Sequence, residues 1–138
     1  MSVFRYPVRV YYEDTDAGGI VYHSNYLKFA ERARTELVRS IGVNQAELMD
    51  GGKGYAFAVH RVVADFVRPA RLDDQLEVET RLLGVGGASA DFEQVIRREG
   101  AELVRLDVRV AFIGLDGRPA RIPPYLRVSL RELVSERR

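Results

Sequence analysis

No cysteine occurs in the 138 residues, which excludes disulfides, thiolate zinc sites and a cysteine nucleophile. Lysine is nearly absent too, since Lys28 and Lys53 are the only lysines among 21 basic residues. Arginine's planar fork suits phosphate recognition, although most of these arginines read as ordinary surface charge. An excess of either charge is also missing. The formal net charge is +1, so the lopsided basic footprint of a nucleic-acid binder is not there. No stretch approaches the roughly 18 apolar residues of a spanning helix. The opening MSVFRYPVRVYY alternates and carries arginines, unlike a signal peptide. A cytoplasmic protein is the default reading, with no transmembrane segment and no nucleic-acid partner. Repeats, linkers and low-complexity tracts are lacking as well. At this length the chain reads as one domain, 1–138, able to bury a single core without staples.

What is present is a clear change of period. Phe4, Tyr6, Val8, Val10 and Tyr12 share one parity, the mark of a half-buried strand over 4–12. Pro7 confines that strand to an edge or a bulge, because proline cannot donate to a ladder. From Ser24 to Ile41, Tyr26, Ala30, Ala33, Leu37 and Ile41 fall on one helical stripe, widened by Leu27, Phe29 and Val38. That pattern predicts an amphipathic helix of about five turns, stopped at Gly42. A short helical turn over 44–50 precedes the break DGGKG. Alternation then returns four times. Ala58, Val62, Ala64 and Phe66 share a parity, as do Leu76, Val78 and Leu82, then Ala90, Phe92 and Ile96, then Val104 to Phe112. RPARLDD, GVGGAS, REGAE and Asp116-Gly117 supply the turns. Pro123-Pro124 leads into a short C-terminal helix. One strand, one long helix and four hairpin-linked strands imply an α+β domain, an antiparallel five-stranded sheet with the helix on its apolar face.

Between the first strand and the helix stands YYEDTDAGGIVYHSNY, residues 11–26. Helix starts present free N–H groups and partial positive charge, suited to a carbonyl oxygen becoming an oxyanion. A carboxylate nearby could activate water or attack directly, and Gly18-Gly19 would let the backbone approach a ligand. A calcium loop beginning at Asp14 fails, since Gly18 offers no side-chain ligand and Asn25 stands where a bidentate glutamate belongs. A phosphate loop lacks its lysine. The bland alternative is a turn made by Asp14 and Asp16, with Ser24 capping the helix.

The run YYEDTDAGGIVYHSNYLKFAERARTE, continued by FVRPARLDDQLEVET, resembles the hotdog-fold acyl-CoA thioesterases of the 4-hydroxybenzoyl-CoA type, nearest the Tol-Pal-associated, YbgC-type branch. The likeness extends from about Val8 to Asp116. It implies a hotdog fold, a sheet wrapped around one long helix, and hydrolysis of acyl-CoA to free acid and CoA with no cofactor or metal. It places the catalytic aspartate at Asp16 and the active-site histidine at His23, with a backbone N–H near His23 as oxyanion donor. It further implies a homodimer or homotetramer with active sites across the dimer. An acyl carrier protein is a second candidate partner, and a position peripheral to the inner membrane a second candidate location. A dehydratase is disfavoured by the seven-residue spacing from Asp16 to His23. A non-catalytic binding module for acyl-CoA or an acyl carrier protein is the rival from another class.

Around this pair, Gly19, Tyr22 and Asn25 are candidates to line the substrate site, with a packing tyrosine and a helix-capping asparagine as equal alternatives. Asp14 reads as the holder of the turn, and Glu13 as solvated. Arg68 and Arg71, or Arg97 and Arg98, are candidates for the CoA phosphates. Glu31 reads as solvated and paired with Arg34, with a catalytic role held in second place. His60 reads as a core or interface histidine.

Overall fold

The computed structural model describes residues 3–45 and 54–135. The first strand, β1 (Phe4–Arg9), is shorter than its alternation implies, because the chain coils into a single 3-10 turn over Tyr12–Asp14. Helix α1 (His23–Ser40) follows. Four strands come next: β2 (Tyr55–Phe66), β3 (Gln75–Val85), β4 (Ser89–Arg98) and β5 (Ala101–Gly114). A second helix, α2 (Pro124–Arg131), comes after them. Most of the short helix expected over 44–50, and the break after it, lie outside the described residues.

All five strands join one antiparallel sheet in the order β1-β3-β4-β5-β2. Strands β1 and β2 are its edges. Pro7 stands opposite Glu77 in β1, the kind of position where a residue without an N–H is tolerated. The turns fall where glycine and polar residues cluster: Glu99 and Gly100 both take positive φ between β4 and β5.

Helix α1 lies on one face of this sheet. Tyr26, Phe29, Ala30, Ala33, Leu37 and Val38 are buried in one core with Leu76, Val78, Leu82, Phe92, Ile96 and the inward residues of β5. Each large side chain fully buried there contributes roughly 1.5–3 kcal/mol. Leu27 does not belong to this stripe; it is exposed.

Two departures from the alternation have physical causes. In β2 the register shifts between Val59 and Arg61, leaving His60 as an extra residue opposite β5. Such a bulge flips parity. Tyr55 and Phe57 pack on the core before it, and Val62 and Ala64 after it. Ala58 therefore falls on the opposite face from Val62 and Ala64 despite sharing their parity, and His60 is an exposed bulge residue rather than a core one. On the outer face of β3, Glu79 and Arg81 are buried. They sit in a lattice of ion pairs in which Arg5, Arg81 and Arg97 all approach Glu79.

Candidate active site

The loop ahead of α1 is held by its own backbone and by one carboxylate. Asp14, 5% exposed, accepts from the Tyr11 N–H at 2.8 Å on one oxygen and from Asn25 Nδ2 at 2.9 Å on the other. Its carbonyl accepts from the Tyr22 N–H at 2.9 Å. Asp14 thus ties the 3-10 turn to the first turn of the helix. Asn25 is the third residue of α1, and its side chain is held by Asp14 rather than capping a backbone N–H. Glu13 is exposed.

Beyond Asp14 the chain doubles back. Thr15 and Val21 form an antiparallel bridge, and the Asp16 N–H donates to the Ile20 carbonyl at 2.9 Å. At the tip, Asp16 Oδ1 accepts from the Gly18 N–H at 2.9 Å, and Gly19 takes φ +79°. That left-handed conformation explains a glycine at this point. The Asp16 side chain is exposed, with its second oxygen outside this turn.

His23 is the first residue of α1 and is also exposed. Its ring packs against Tyr22, with centroids 4.5 Å apart, and edge-on to Phe66 at 6.2 Å. Tyr22 occupies the N-cap position, with φ −66° and ψ 136°, and no side chain caps the helix. Ser24 lies inside the first turn, so the capping role expected for it is not the one it takes. The Asn25 N–H turns back to the Tyr22 carbonyl at 2.8 Å, while the His23 and Ser24 N–H groups have no acceptor among the described residues. Two free donors at the positive end of an 18-residue helix are a site for developing negative charge.

The segment 69–74 forms the neighbouring wall. Ala70 donates its N–H to the Tyr26 phenol at 2.9 Å and accepts at its carbonyl from the Val21 N–H. Burial raises the Tyr26 pKa above its usual 10.0, with Asp16 adding to the shift through space. The phenol therefore stays neutral. Arg71 forms a bridge with Ile20 of the loop, and its N–H donates to Asp74. Burial works against the Asp74 charge, but the Arg71 N–H and the Arg98 guanidinium at 2.7 Å hold its carboxyl below the usual range.

The phosphate candidates separate on this geometry. Arg97 and Arg98 are engaged with Glu79 and Asp74. Arg68 Nη1 donates to the Glu102 carbonyl at 3.2 Å. Arg71 alone of the four is bridged, through its backbone, to the loop that carries Asp16.

A cavity of about 480 Å³ opens along α1 from Leu27 to Val38, against Phe57, Phe92, Leu106 and Val108, with Leu130 of α2 at its wall. Leu27 lies one turn beyond His23 on the same helical face. Sequence reasoning passed over its polar wall. Arg34 donates to Gln94 Oε1 at 2.9 Å, and Gln94 Nε2 donates to both the Ala30 carbonyl and the Thr80 hydroxyl. Burial lowers the Arg34 pKa below the usual guanidinium range, while Glu31 opposes that shift through space. Glu31 is exposed and lines the same cavity. The signal for Gln94 was available: it is a polar residue on the apolar parity of β4.

Comparison with known proteins shows the family. The model of the Thioesterase-like superfamily matches residues 10–130. The acyl-CoA thioester hydrolase YbgC of Escherichia coli O6:H1 is 43% identical over 133 residues, covering 95% of this chain and 98% of that protein. The acyl-CoA thioesterase YbgC of Haemophilus influenzae is 43% identical over 94% of this chain and 96% of its own. Among solved structures, a probable thioesterase from Bartonella henselae superposes with a TM-score of 0.85 at 38% identity, covering 88% of this chain and 100% of that one.

Proposed function

The chain belongs to the thioesterase-like superfamily, and on that premise we propose that an acyl-CoA thioester is cleaved at the uncapped start of α1, beside the Asp16 loop. The reaction is hydrolysis of acyl-CoA to a free acid and CoA. Asp16 takes the proton of an attacking water, or attacks the carbonyl itself to give a mixed anhydride that water then hydrolyses to the free acid and Asp16. The thioester oxygen, as it becomes an oxyanion, is met by the His23 and Ser24 N–H groups. Collapse of the tetrahedral intermediate expels the CoA thiolate, which then gains a proton. A general base contributes typically ~10²–10⁴-fold and one oxyanion donor about 3–4 kcal/mol. For an already activated ester these are sufficient.

The observation that carries this reading is the pair of free N–H groups at a helix start that no side chain caps. Gly19 and Tyr22 form the approach to them, and the cavity along α1 receives the acyl group. Arg71 is the better placed of the arginines to meet a CoA phosphate, with Arg68 behind it. Asn25 supports the site through Asp14 rather than by touching substrate. The whole span 1–138 acts as one hotdog unit in the cytoplasm, with peripheral contact at the inner membrane in the Tol-Pal context of the YbgC branch and an acyl carrier protein as a second thioester donor.

Steady-state thiol release from a panel of acyl-CoAs tests the assignment. Asp16→Asn is expected to lose on the order of 10²–10⁴ in turnover. Equal activity in both proteins would sink the role of Asp16. Tight CoA binding without turnover of any thioester would mark a binding module instead.

A further inference from the structure

The turn between β3 and β4 carries a feature that thioester cleavage does not use. Residues 117–131, GRPARIPPYLRVSLR, hold four arginines and no acid. Two of them converge on Gly87. A Cβ added to Gly87 would stand 3.5 Å from Arg121 Nη1 and 3.8 Å from Arg127 Nη2, so a glycine leaves the space that both guanidiniums border. Neither guanidinium makes a hydrogen bond or an ion pair among the described residues. The Arg127 Nε is buried with no hydrogen-bond partner among the described residues. Arg5, Arg97, Arg98, Arg105 and Arg109, by contrast, each face a carboxylate.

The pair is also held in place. The Ile122 N–H donates to the Gly87 carbonyl at 2.8 Å, which fixes the segment against the turn. Leu126 and Leu130, each 1% exposed, anchor α2 on either side of Arg127. Two like charges fixed beside one another, with a buried donor left open, form a poor arrangement until an anion joins them. Planar guanidinium forks match the oxygens of a phosphate group better than any neutral partner does.

We propose that Arg121 and Arg127, over Gly87, form an oxyanion site that takes a phosphate group. It is separate from the Asp16 loop. The eleven residues of β3 lie between the Arg71–Asp74 turn beside that loop and the turn at Gly87, a span of roughly 30–35 Å. The phosphate can come from CoA, from the free anion or from a lipid headgroup, and the chemistry of recognition is shared by all three.

The test is calorimetric titration of the wild-type chain with CoA, dephospho-CoA and inorganic phosphate, with sedimentation against phosphatidylglycerol vesicles as a fourth arm. The comparison proteins are the double variant Arg121→Gln/Arg127→Gln and, separately, Gly87→Glu, which leaves both arginines intact and supplies an internal carboxylate. At least one probe is expected to bind wild type and to weaken by about tenfold or more in both variants. Rising salt should weaken it as well. Preference for CoA over dephospho-CoA identifies the nucleotide phosphate. Binding of inorganic phosphate that both variants lose, with no difference between CoA and dephospho-CoA, identifies the free anion, and loss of vesicle binding in the variants identifies a headgroup. If no probe binds, or if every affinity is the same in wild type and variants, the site does not exist. Asp16→Asn should leave phosphate binding unchanged, so failure of this site and failure of the Asp16 assignment are read separately.

Discussion

Of the three carboxylates in the loop, Asp14 carries the most structure. It is buried and accepts two N–H bonds, while Asp16 and Glu13 are exposed. Asp14→Ala leaves the Tyr11 N–H and the Asn25 amide without their acceptor, and should cost about 2 kcal/mol by urea denaturation. It should also lower turnover, because the loop that aims Asp16 is no longer tied to α1. His23 can be dissected at the same scale. It is the first helical residue, where proline is well tolerated, and Tyr22 before it already has the extended backbone that a following proline requires. His23→Pro therefore removes the N–H with little distortion, whereas His23→Ala removes only the ring. Thiol release should fall further in the proline variant if the N–H is the key donor. The reverse order would assign the role to the imidazole.

Elements explain which parts of this arrangement could be foreseen. Strand parity in β3, β4 and β5 was legible because one face is apolar except at Thr80 and Gln94, and the α1 stripe because only one side of it meets the sheet. The bulge at His60 was not legible, since a single unpaired residue leaves no mark in composition and yet inverts every side chain before it. Gln94 could be picked out as a polar residue on an apolar parity, but its partners could not, since Arg34 and the Ala30 carbonyl come from α1 and Thr80 from β3. In the loop, the residue types and their spacing were readable from the run itself. A free N–H near His23 was readable as well, but that of Ser24 was not, because Ser24 reads in the sequence as the helix cap and instead falls inside the helix. The turn joining β2 to β3 yields a pH prediction. Asp74 has a folded pKa below its usual 3.8, so its stabilisation is present above that value and is lost as pH falls through the folded one. Asp74→Asn should be less stable at pH 7 by about 1 kcal/mol. The difference in urea midpoint should shrink towards zero as pH falls to about 3 and below.

At the scale of the molecule, the two sheet edges are unequal. Strand β1 carries Pro7, whereas β2 offers twelve residues with Val59, Val63 and Phe66 each about half exposed. A long apolar edge invites pairing, and we expect β2 of one copy to meet β2 of another in a homodimer, with a homotetramer as the next assembly. Light scattering should return a multiple of the 15.6 kDa chain mass. Val59→Lys with Val63→Lys should shift it towards a single chain at equal concentration, and an unchanged mass would exclude this edge. The sheet order has one more consequence, in time rather than space. Strand β2 has β5 as its neighbour, and the chain must extend from Phe66 to Gly114 before that partner is complete. At ribosomal speeds of about 5–20 residues per second, β2 waits roughly 2–10 s with neither edge paired. Strand β1 waits longer for β3, from Arg9 to Val85, but it is half as long and carries Pro7. The twelve-residue segment from which an assembly would be built is thus the larger surface that a nascent chain leaves uncovered, and chaperone capture during synthesis should concentrate there.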